Sequence, residues 1–60
     1  MFSKEAVESV LNQLKQECGA DPNYEQLLRD MYLGIARVDG GAALGSLDPR
    51  VIKLIQQHQK

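Results

Sequence analysis

Four groups of residues in this 60-residue chain have types or spacings that bear on chemistry. Gly40 and Gly45 reproduce the outer glycines of a phosphate-binding loop, where backbone amides cradle phosphate oxygens and a lysine neutralises their charge. Ser46 stands where that lysine belongs and Leu47 where the hydroxyl belongs, and a helical pattern precedes the loop where a strand is required. A flexible connection between helices is the expected role. His58 shares the helical angle of Val51 and Ile55, and an imidazole can titrate or act as a general base near neutral pH. With no second histidine and no carboxylate placed beside it in sequence, it is expected to be a helix-end residue favoured by the macrodipole. Cys18 closes an apolar stripe at a helix C-terminus, where the dipole disfavours a thiolate, so packing is expected of it.

The fourth group is Arg50, Lys53, Gln57 and Lys60, side chains able to meet phosphates and base edges. Against it stand seven Lys and Arg to eight Asp and Glu, a formal charge of −1 that supplies no general field for a polyphosphate. A helix-turn-helix also needs a connection of about 3 to 4 residues, and the segment 39–47 is much longer. Nucleic acid is thus a disfavoured partner, kept only as the alternative of a small dimeric regulator that binds through the last helix. No nucleophile elbow and no paired ligand spacing occurs, and one cysteine with one histidine cannot build a tetrahedral zinc site. A non-enzymatic protein with no cofactor, no metal and no small-molecule substrate is expected.

The elements that must position these residues are helical. At 100° per residue Val7, Val10, Leu11, Leu14 and Cys18 fall within an arc of about 100°, predicting a helix over 3–18. Ser3 is placed to cap it, Phe2 to staple onto Val7, and Gly19 to end it in the left-handed conformation. Asp21-Pro22 announces a second helix over 22–38, with Asp21 as N-cap. Its apolar residues Tyr24, Leu27, Leu28, Met31, Tyr32, Ile35 and Val38 cover about 140°, predicting a central helix packed between two neighbours. A glycine-rich loop over 39–47 follows. Asp48-Pro49 then repeats the start signal, Leu47 can staple onto Ile52, and a third helix over 49–59 presents Val51, Ile52, Leu54 and Ile55 across about 160°. Such an arc requires either a groove between the first two helices or another chain.

The expected fold is therefore an all-α three-helix bundle forming one domain over 1–60. A chain of this length hides only about 60% of the surface exposed by its unfolded form, and the lone cysteine closes no internal disulfide. Completion by a homo-oligomer or a protein partner is expected to supply the missing burial. Leu33 falls among Gln26, Arg29, Asp30 and Arg37 on the polar side of the second helix, and Gly34 beside it permits close approach at a cost of roughly 1 kcal/mol against alanine. The expected association surface is Leu33, Gly34, Ala36 and Arg37, with Ile52 and Ile55 of the third helix. The competing expectation is that Gly34 marks a kink and Leu33 touches the folded-back loop. No apolar run approaches the ~20 residues that span a bilayer, no secretory leader is apparent, and a lone thiol points to the reducing cytoplasm. The sequence thus suggests a small cytoplasmic regulator, inhibitor, adaptor or assembly subunit.

Overall fold

Ser3 sits in extended backbone, φ −71° and ψ 163°, and its Oγ accepts from the amide of Ala6 at 3.1 Å. One of the four N–H groups that a helix start leaves unpaired is satisfied in this way. The computed structural model describes residues 2–58 and contains helices α1 (Lys4–Cys18), α2 (Tyr24–Asp39) and α3 (Pro49–His58). Each helix packs against the other two, and no strand occurs among the described residues. The all-helical bundle expected from the apolar periodicity is the observed fold. All three pairs touch, so α2 packs against two neighbours as expected, and α3 lies in the groove between α1 and α2.

The core is built from one stripe of each helix. Val10, Leu14 and Cys18 come from α1, Leu27, Met31 and Ile35 from α2, and Val51, Leu54 and Ile55 from α3. Spacings of three and four residues put each set on one side of its helix, where burial removes apolar surface from water. Phe2, Val7, Leu11, Tyr24, Leu28, Val38 and Leu44 pack half-buried around this centre. Leu47, from the connection before α3, is buried as well.

Three local expectations are corrected. Gly19 is right-handed, φ −61° and ψ −26°, because its amide continues the helical pattern by donating to the Lys15 carbonyl at 2.9 Å. Tyr32 is 58% exposed although its angle belongs to the apolar arc of α2. It lies at the extreme edge of that arc, beyond the sector that α1 and α3 can cover.

The third concerns the two Asp-Pro starts. Both carboxylates accept from the amide two residues on, Asp21 from Asn23 at 2.7 Å and Asp48 from Arg50 at 2.8 Å. Their carbonyls then diverge. That of Asp48 accepts from Ile52 at 3.0 Å, the four-residue step of an α-helix, and α3 begins at Pro49 as expected. That of Asp21 accepts from Tyr24 at 3.0 Å, a tighter three-residue step, so a turn precedes α2 and the helix starts at Tyr24 with Asn23 as cap rather than at Pro22.

At its other end α2 stops in a Schellman arrangement. Ala42 donates to the Arg37 carbonyl at 2.7 Å and Gly41 to that of Val38 at 3.0 Å, around a left-handed Gly41 with φ 77°. The Arg37 side chain extends the closure, donating from Nη1 to the Leu44 carbonyl at 2.7 Å. Left-handed Gly45, φ 73°, lies beside that guanidinium: a Cβ there would stand 2.9 Å from Nη1. Chain entry is tied to the same region, since the Phe2 amide donates to Asp39 Oδ1 at 2.8 Å.

Candidate interaction surface

The loop 40–48 folds back over α2 at Gly34. A Cβ built on Gly34 would collide with Cδ1 of Ile55, stand 3.0 Å from Cδ1 of Leu47 and 3.4 Å from Cδ2 of Leu44. Glycine at this position lets two loop leucines and α3 share one notch in α2. Gly34 is buried and Ile55 is 0% exposed, so neither offers a surface to a partner; their expected place in an association surface is corrected to the core. Gly34 joins Leu33 in the expected surface as its neighbour in the chain, but adjacent residues on a helix point about 100° apart, and here one points in and the other out.

Leu33 itself is 44% exposed, and it is joined on the outside of α2 by Tyr32 and the exposed Ala36. Arg37 is half-buried, with Nη1 holding the loop. Ile52 is half-buried on α3. The surface thus gathers Tyr32, Leu33 and Ala36 on one helix, where the sequence suggested Leu33 and Ala36 together with the α3 residues. Tyr32 was the missed member, and its position at the rim of the apolar arc is the signal that marks it.

The expected basic face of α3 is arranged differently. Arg50 donates from Nη1 to Asp21 Oδ2 at 2.9 Å and from Nε to Asp48 Oδ1 at 3.2 Å. Its charge is matched by two carboxylates while its side chain stays 48% exposed, so on the alternative nucleic-acid surface this cation is shared with the protein's own acids. Lys53 and Gln57 are exposed, and Lys60 lies outside the described residues. The Asp21–Arg50–Asp48 cluster pins the turn between α1 and α2 to the start of α3. The amide of Asn23 and then the Arg50 guanidinium hold the Asp21 carboxyl below the usual carboxylate range. For Asp48 the Arg50 side chain acts first and its amide second, in the same direction. Arg50 is shifted upward by its hydrogen bonds to Asp48 and Asp21.

The sign of the pH dependence follows. Both folded values lie below the unfolded one near 3.9, so the stabilisation is complete above that pH and is lost as the pH falls through the folded values. Melts recorded from neutral pH downward should show stability dropping below about pH 4. Arg50→Gln should flatten part of that profile, and an unchanged profile in the variant would assign the acid sensitivity to the capping amides of Asn23 and residue 50 or to other carboxylates, not to the guanidinium.

His58 Nε2 lies 3.1 Å from Gln13 Oε1, joining the end of α3 to α1. Cys18 is a free, buried thiol with 6% exposure. Among the described residues no group of three or more His, Cys, Asp or Glu side chains converges to hold a metal ion. Among the described residues no helix is long and apolar enough to cross a membrane. No protein-family model, curated protein or solved structure matches this chain. The outward side of α2 is therefore the feature on which a role can be built.

Proposed function

We propose that this is a small non-enzymatic interaction protein of the cytoplasm, a regulator, inhibitor, adaptor or assembly subunit, that docks through the outer face of α2. The observation that carries the reading is the exposure of two large apolar side chains on one helix, Leu33, 44% exposed on the side away from the buried stripe of α2, and Tyr32, 58% exposed at the rim of that stripe. A single exposed leucine is ordinary, whereas a large aromatic beside it, with Ala36 following and Arg29 and Arg37 near, has the composition of an interface hot spot. The non-enzymatic part of the reading is supported by the engagement of the polar groups. Asp21, Asp48 and Arg50 cap helices and pair with one another, Arg37 holds the loop and His58 meets Gln13. Nucleic-acid binding is the weaker reading because Arg50 is already matched by carboxylates.

The test is Leu33→Asp. The position is exposed, so the circular dichroism of the variant should equal that of the parent chain. Association with the physiological partner, be it another protein or a second copy, should weaken by about tenfold or more, as truncation of a central contact does. Full association by Leu33→Asp and by Tyr32→Ala would place the binding face elsewhere.

A further inference from the structure

The outer face of α2 has an internal symmetry that specifies its partner. Asp30 and Arg37 are seven residues apart, so they project at nearly the same helical angle and mark one edge of the face. Leu33 lies between them in sequence and nearer the middle of the face, while Tyr32 and Ala36 lie toward the opposite edge. A two-fold axis that relates two antiparallel helices turns each end for end and keeps like edges together, so residues mirrored about the axis meet. About a point between 33 and 34, Asp30 is mirrored by Arg37, an acid by a base. Leu33 stands about half a residue from that point, close enough for its two copies to meet across the axis, and within about one residue Tyr32 is mirrored by Ala36, the largest side chain of the face by the smallest.

We propose that the outer face of α2 binds a second copy of this chain, antiparallel and isologous, with Leu33 beside the two-fold axis, Tyr32 over Ala36 of the other copy, and Asp30 paired with the opposite Arg37. The charges suit this role. Arg37 engages the Leu44 carbonyl through Nη1, which fixes the guanidinium at the edge of the face, and a guanidinium has further N–H donors beyond the one used there. Asp30 takes Gln26 Nε2 on Oδ1 at 3.1 Å, a contact that orients the carboxylate at the rim. Only the antiparallel arrangement matches these charges, because the two-fold of a parallel pair runs along the helices and brings opposite edges together, setting Asp30 and Arg37 against the Tyr32 and Ala36 edge of the other copy. Small Ala36 allows the two helices to approach closely where Tyr32 crosses.

This inference rests on the reading of the α2 face as a docking surface and goes further in naming the occupant. A single helix pair makes a contact of the small, reversible class, so mass should be measured by sedimentation from about 10 µM to about 1 mM. The full chain is expected to dimerise within that range. Leu33→Asp and Leu33→Lys each place like charges across the axis and should each raise the dissociation constant about tenfold or more. An equimolar mixture of the two variants places Asp against Lys and should recover the dimer, which a structural role for Leu33 would not do. Wild-type chain that stays monomeric to the top of the range, or a mixture that stays monomeric, overturns the self-pairing. The docking reading would still stand on a monomer that binds another protein and loses it with Leu33→Asp. If a charged residue 33 unfolds the chain, amide shifts of the wild-type chain decide. Concentration-dependent changes confined to 29–37 uphold the pairing, and changes elsewhere or none overturn it.

Discussion

Ile55→Ala is expected to be among the most destabilising single substitutions in the protein. Ile55 is 0% exposed, and its Cδ1 fills the notch that Gly34 leaves in α2. Truncation to alanine removes three carbons and leaves a cavity, a change that costs about 2–5 kcal/mol in well-packed cores. A chain of this size has a total stability of roughly 3–9 kcal/mol at the usual margin per residue, so one such cavity removes a large share of it. Denaturant titration followed by circular dichroism should show the midpoint collapsing together with the helical signal. This outcome separates a core residue from a surface one. Were Ile55 a partner-binding side chain, as its place on a broad apolar arc suggests, the variant would keep its helical signal and lose association alone.

The second large effect is expected at Gly34. Valine there should destabilise by about 2–3 kcal/mol, since its branched side chain must displace Ile55, Leu47 and Leu44 from a site already filled to contact distance. Alanine should cost less, about 1 kcal/mol, because overpacking is opposed by the roughly 1 kcal/mol by which alanine favours a helix over glycine. The atom most in the way is the terminal methyl of Ile55. Ile55→Val deletes that methyl, so Gly34→Ala combined with Ile55→Val should cost less than the two changes summed. Equilibrium denaturation of the four proteins forms a double-mutant cycle, and strict additivity would mean that the notch does not couple α2 to α3.

The two Asp-Pro starts show where local chemistry suffices and where it does not. Each aspartate is close in sequence to the amide it accepts from, so its capping role is legible in the chain. Arg50 reaches Asp21 across 29 residues, and that contact fixes how the turn before α2 sits against α3. No spacing along the chain announces it. The same holds for Gln13 and His58, which are 45 residues apart and meet only because α1 and α3 pack.

Number, order and approximate limits of the helices were determined by the sequence alone, as were most of the buried residues and the caps at Ser3 and Asp48. These depend on hydrogen bonds and side-chain angles repeated within a few residues, and such periodicity is a property of the chain itself. Tertiary structure decided the rest of the candidate surface. It exposed Tyr32 at the rim of an arc wider than two neighbours cover, and it drew Gly34 and Ile55 inward by folding loop leucines over α2. It also matched Arg50 with two carboxylates. Which side of an amphipathic helix remains uncovered depends on where the other helices lie, and that is set by packing between residues far apart in sequence.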